Sequence, residues 1–147
     1  MVMSFFSAKL AVDEARLIAA IRAAELATSG EIRVVVARSQ VIATVATAQG
    51  EFARLGMAKT AGRNGVLIFI APASRTFAIV GDTGIHEKCG EIFWQELVTA
   101  MAGHFRSGDF TTGLTLGIAR AGDLLSRHFP REPDDRNELP DTLEQTD

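Results

Sequence analysis

The stretch Arg63-Asn64-Gly65-Val66-Leu67-Ile68-Phe69-Ile70 leads through Ala71-Pro72-Ala73-Ser74-Arg75 into Thr76-Phe77-Ala78-Ile79-Val80-Gly81-Asp82. Two apolar runs of strand length, joined by a short turn and bounded by polar residues, read as a buried β-hairpin. The first run is apolar on both faces, which suits a central strand covered by helices on either side. Upstream, Glu31 to Ala37 reads as another strand: Ile32, Val34 and Val36 point one way, Arg33 and Val35 the other, and β-branched residues dominate. Between these strands Val45, Ala48, Phe52 and Leu55 keep helical spacing up to Gly56. A strand, a helix and an apolar strand make a β-α-β unit, so the two strands are expected to run parallel with a right-handed crossover.

Working outward, Leu10, Leu17, Ile18, Ile21 and Ala24 recur at helical spacing between Ser7 and Ser29, and Thr28-Ser29-Gly30 closes that helix. A third helix is expected from about His86 to Phe105, with Ile92, Phe93, Leu97, Met101 and Phe105 as its buried stripe. A fourth follows the turn Arg106-Ser107-Gly108-Asp109, carries Leu114, Ile118, Ala121 and Leu125 inward, and stops at Phe129-Pro130. The fold class is therefore α/β, a three-layer α/β/α sandwich around a small mixed sheet.

The chain has 147 residues, 47% of them hydrophobic and 22% charged, the balance of one globular domain with a substantial core. Residues 1–130 are assigned to that domain. The formal charge of −3 is uneven: Glu132, Asp134, Asp135, Glu138, Asp141, Glu144 and Asp147 oppose only Arg131 and Arg136, which puts −5 on residues 131–147 and leaves +2 on the rest. Rich in proline and poor in apolar residues, 131–147 is expected to be a flexible acidic tail. A nearly neutral domain has no broad cationic field for nucleic acid. Met1 to Ser7 lacks the cationic segment and long apolar stretch of a secretion signal, and no run approaches the length of a membrane span. Together with the single Cys89, which excludes an intrachain disulfide, this points to the cytoplasm.

Topology makes a site prediction. An antiparallel partner brings Gly81-Asp82 beside Arg63-Asn64-Gly65, and a parallel one brings Glu31 to the same edge. Two carboxylates, Glu31 and Asp82, an amide at Asn64 and a guanidinium at Arg63 thus converge. Carboxylate and carbonyl oxygens suit a hard divalent cation, calcium or magnesium, with Asp109 in the loop before the fourth helix as a further candidate ligand. Arg63, Asn64 and the backbone around Gly84, at the start of the third helix, could receive an anion, so a phosphate-containing small molecule is the candidate partner. The plainer reading is structural: Glu31 as a solvated strand start, Asp82 as a helix cap, and Arg63 as the partner of either acid.

Other chemistry fits less well. A phosphatase nucleophile at Cys89 would need an arginine six positions on, where Gln95 stands, so Cys89 reads as packing. His86, His104 and His128 lack the paired spacing of a zinc site. The glycines at 62, 65, 81 and 84 match neither a nucleotide-phosphate loop nor a dinucleotide fingerprint. Trp94 reads as packing beside Phe93.

Thr28-Ser29-Gly30-Glu31-Ile32-Arg33-Val34, Leu55-Gly56-Met57 with Thr60, Arg63-Asn64-Gly65-Val66-Leu67-Ile68, Gly81-Asp82-x-Gly84-Ile85, Phe93-Trp94 and Phe105-x-x-Gly108-x-Phe110-x-x-Gly113-Leu114 together resemble the TPM-domain family, named for thylakoid lumen, photosystem II repair and related membrane-associated proteins. The order and spacing look like its short, soluble bacterial branch. The resemblance implies a compact α/β/α sandwich, binding of a divalent cation, often calcium, near the sheet edge, and an acid-phosphatase activity in some members. Matched polar positions are Glu31, Arg63, Asn64 and Asp82, with Asp109 in a matching loop. Many longer relatives add a secretion signal and a membrane anchor, where this chain has an acidic tail. Two functions follow as expectations: a non-catalytic module that binds a divalent cation at this edge, preferred because few acid-base groups are positioned there, and a metal-dependent phosphatase acting on phosphomonoesters.

Overall fold

The structure, a computed structural model, describes residues 2–4, 12–131 and 143–146. Its sheet contains β1 (Val2–Ser4), β2 (Glu31–Ala37), β3 (Gly65–Ala71), β4 (Thr76–Gly81) and β5 (Leu143–Thr146), in the order β1-β4-β3-β2-β5. β2 and β3 are parallel, whereas β3 and β4 form an antiparallel hairpin. β3 is buried along its whole length, as its unbroken apolar sequence requires. The helices are α1 (Glu14–Glu25), α2 (Thr44–Arg54), α3 (Thr83–Arg106) and α4 (Phe110–His128).

Alternation along the strands sorts the core into two layers. Ile32, Val34, Val36, Val66, Ile68, Ile70, Phe77 and Ile79 face α1, α3 and α4, where they meet Leu17, Ile21, Met101, Phe105, Leu114, Ile118 and Leu125. Val35, Ala37, Leu67, Phe69 and Ala78 face α2, against Ala48, Phe52 and the Met57 side chain. The sheet is therefore sandwiched, with the larger helical layer on one face and a single helix on the other. Within the larger layer, Phe105 meets Phe77 edge-on at 4.9 Å and stacks on Phe110 at 5.6 Å between ring centroids.

Several details differ from the sequence-based expectations. α3 begins at Thr83, three residues before His86, because Asp82 caps it through a hydrogen bond from the Thr83 backbone N–H. It is broken at Gly90, whose φ of 71° and ψ of 177° are accessible to glycine alone. The break resets the helical phase, so the inward stripe runs through Trp94, Leu97, Val98 and Met101, and Ile92 is 72% exposed instead of buried. Two edge strands, β1 and β5, are added that the apolar pattern did not mark, the second of them pairing with β2 in parallel. Of the expected tail, 132–142 and 147 lie outside the described residues, as do 7–11 of the first helix. No helix among the described residues is long and apolar enough to cross a membrane.

Candidate functional site

Three chain segments meet where β2 and β3 begin and β4 ends. Glu31 is registered against Gly65, and Val66 against Gly81. The Asp82 N–H continues the hairpin by donating to the Gly65 carbonyl at 3.0 Å, and the Glu31 N–H reaches the Asn64 carbonyl at 3.4 Å. Glu31, Arg63, Asn64, Asp82 and Gly84 therefore share one rim of the sheet. Asp109 does not. α1 delivers the chain to β2 at the rim, so its first residues lie at the far end, and there the Asp13 N–H donates to Thr111 Oγ1 at 3.0 Å. Asp109 caps α4 at that far end by accepting from the Thr112 N–H at 3.1 Å.

The rim is organised by an ion pair. Arg63 donates from Nε to one carboxylate oxygen of Asp82 and from Nη2 to the other, both at 2.8 Å, and the Thr83 N–H adds a third bond at 2.7 Å. This is the fork geometry in which guanidinium and carboxylate fit best. The Asp82 side chain is 4% exposed while that of Arg63 is 49% exposed, so the acid is fixed in the protein and the base covers it from the solvent side. Burial by itself would push the Asp82 carboxyl up. The Arg63 fork, the Thr83 N–H and the charge of Arg63 outweigh it and hold the carboxyl below its ordinary value. The hydrogen bonds and charge of Asp82 raise Arg63 in turn.

The loop that presents Arg63 is held just as closely. Arg63 itself has a φ of 50°, an uncommon left-handed conformation for a residue other than glycine. Its carbonyl accepts the Gly84 N–H at 2.9 Å. A Cβ on Gly84 would lie 2.5 Å from the Gly62 carbonyl oxygen and 2.7 Å from that of Arg63, so only glycine admits this approach. Gly84 thus serves loop packing; its N–H is taken by Arg63 and is not presented to an anion. Asn64 is 2% exposed and ties the loop to Ser29 through Nδ2 at 3.2 Å, while its Oδ1 is buried without a hydrogen-bond partner. Arg63 is the one expected anion-binding group that faces solvent, and it holds Asp82 instead.

Glu31 is buried, not a solvated strand start. Strand alternation puts it with Arg33 and Val35 on the α2 face. Sequence reasoning also missed Glu25, whose carboxylate accepts the Ile32 N–H at 2.9 Å, and the Thr28 hydroxyl, which donates to the Phe129 carbonyl and joins the turn between α1 and β2 to the end of α4. Thr28-Ser29-Gly30 carried a signal for the second contact, a hydroxyl at a helix end; nothing local announced the first.

As a cation site the rim is incomplete in this arrangement. Among the described residues no group of three or more histidine, cysteine, aspartate and glutamate side chains is placed to hold a metal. Both oxygens of Asp82 are already hydrogen-bonded. A hard cation would fit Asp82 only with Arg63 withdrawn, which would free the two carboxylate oxygens that Arg63 now occupies. Cys89 is no stronger as a nucleophile, since burial pushes its thiol up despite the opposing charge of Lys88.

Residues 4–124 match the model of the TPM domain. Among solved structures, the chain is similar to the BA42 protein of the psychrophilic bacterium Bizionia argentinensis, known from an NMR structure. The two share 40% sequence identity over 90% of this chain and 91% of the other, with a TM-score of 0.84. No curated protein matches.

Proposed function

The chain belongs to the TPM-domain family, and we propose that it works through its rim as a non-catalytic module that binds a divalent cation, calcium or magnesium, in place of the Arg63 guanidinium. The observation that carries this reading is the Arg63–Asp82 pair itself. Asp82 is an anion fixed by its own helix and strand, so it needs a positive partner at all times. Arg63 is a removable one: its head is half exposed on a long flexible stem. With Arg63 withdrawn, Asp82 and Glu31 would supply oxygen ligands and water would complete the shell of a hard ion. The ion would bring the positive charge that Arg63 now provides, and the loops at 62–65 and 82–84 would respond to the exchange.

Metal-dependent hydrolysis of a phosphomonoester is the alternative, and the same protein tests both. Calcium and magnesium are titrated into wild type and Asp82→Asn while backbone chemical shifts are followed. Saturable shifts are expected at residue 31, at 63–65 and at 82–84 in wild type, absent in the variant, with no turnover of p-nitrophenyl phosphate. Turnover that requires the ion and is lost in Asp82→Asn would make the protein an enzyme; no shift at these residues with either ion would remove the cation reading.

A further inference from the structure

The break in α3 opens a second site that the rim does not use. Where the helix turns at Gly90, its first and second segments part beside the end of β4 and leave a cavity of about 380 Å³ lined by Ile79, Gly81, His86, Gly90, Glu91 and Trp94. That volume lies within the roughly 300–1,000 Å³ typical of small-molecule sites. Its inner wall is apolar and flat: Ile79 and Trp94 are buried, and the His86 ring lies 6.0 Å from the indole at 45°. The indole packs directly on Gly81, where a Cβ would meet Cζ2 of Trp94 at 2.7 Å.

Polar recognition comes from the strand edge. Because the Asp82 N–H points across to Gly65, alternation turns the N–H and C=O of Gly81 to the opposite side, away from β3. Among the described residues, β1 pairs with that side of β4 at Thr76–Ala78 and does not reach Gly81. One glycine therefore presents a donor and an acceptor side by side next to a flat apolar wall. The Trp94 Nε1–H is a further donor, buried without a partner, which an acceptor in the cavity would satisfy if the ring turned toward it. The Glu91 carboxylate at the mouth favours a ligand that carries N–H groups.

We propose that this cavity binds a planar aminoheterocycle of the adenine type, in which a ring nitrogen accepts from Gly81 N–H, the neighbouring amino group donates to Gly81 C=O, and the ring lies against Trp94. Edge-on pairing of adjacent donor and acceptor is the feature that distinguishes such a ring from a hydrocarbon of equal size. Among the described residues the lining includes no lysine or arginine, which favours a base or nucleoside over a nucleotide. The inference is independent of the cation reading, since none of the cavity residues is a proposed ligand of the ion.

The test uses the full chain, whose single tryptophan and lack of tyrosine make its emission a reporter of this cavity alone. Adenine is titrated with excitation at the red edge of the tryptophan band, and the Gly81 amide and Trp94 indole N–H are followed by NMR. A saturable emission change with downfield movement of the Gly81 amide is expected, and N6,N6-dimethyladenine, whose exocyclic nitrogen no longer donates, should bind on the order of ten-fold more weakly. No response to adenine up to its solubility would overturn the site. Equal binding of the two probes would overturn the edge pairing on which the choice of ligand rests.

Discussion

Asp82 and Asp109 perform one local task at opposite ends of the molecule. Each caps a helix by accepting a backbone N–H, from Thr83 at 2.7 Å and from Thr112 at 3.1 Å. Both carboxyls sit below their ordinary value. For Asp109 the cause is its hydrogen bonds to Thr112, aided by the charges of His104 and Arg16. For Asp82 burial works in the other direction and is overcome by Arg63 and Thr83. Asp109 remains exposed at a turn, whereas Asp82 is walled in where three strands end. Capping is a matter of neighbours in the chain; a site arises only where topology brings distant segments onto the cap. That contrast is why the cation reading is proposed for Asp82 and not for Asp109.

The contrast is open to attack first at the glycines. Gly84→Ala sets a Cβ against two backbone oxygens of the 62–63 loop, which cannot move without releasing Arg63. Thermal or denaturant unfolding should show a loss of about 2–3 kcal/mol, with shift changes spreading through 62–65. Gly103, on α3 near the Asp109 end, has open space around its Cβ position. Gly103→Ala should therefore stabilise the protein by about 0.5–1 kcal/mol through helix propensity alone. A comparable loss from both substitutions would erase the distinction between a tightly fitted rim and an open far end.

Next come the caps. Asp82→Ala should cost about 1–2 kcal/mol, by loss of a cap and of the buried end of an ion pair, and Asp109→Ala, which loses a cap alone, should cost less. Chemical denaturation of the two variants side by side checks the order, and a greater cost at Asp109 would reverse the comparison.

The smallest effect is in the pH dependence. A carboxyl whose folded pKa lies below its unfolded value, about 3.9, stabilises fully above that value and loses its contribution as pH falls through the folded one. Stability of wild type should consequently drop more on acidification below about pH 4 than that of Asp82→Asn. Parallel curves on acidification would mean that Arg63 does not hold the acid in its charged form.

The sequence made these ends legible to different depths. Strand pairing was readable because β3 is apolar at every position and the turn at 71–75 is too short for anything but a hairpin, and from these two facts the meeting of residues 31, 63–65 and 82 follows. The Asp82 cap was visible as an alternative, but its tertiary partner was not, since Arg63 could have served either acid. Asp109 is a candidate ligand in the sequence only by its place in the loop before the fourth helix, and no strand pairing constrains its distance. The Gly90 break escaped notice because one glycine in a long amphipathic run is compatible with an unbroken helix, and the shifted stripe brought Trp94 inward at the expense of Ile92. Edge strands β1 and β5 are short and carry no apolar alternation, so only their pairing with a formed sheet reveals them.

On the proposed reading, Arg63 occupies, by its charge, the place a divalent cation would take on Asp82. Calcium affinity of wild type and Arg63→Ala, measured by titration calorimetry at one ionic strength, tests it most directly. Removing the competitor should tighten calcium binding at least several-fold in the variant. Unchanged or weaker binding in Arg63→Ala, or no binding in either protein, would contradict it.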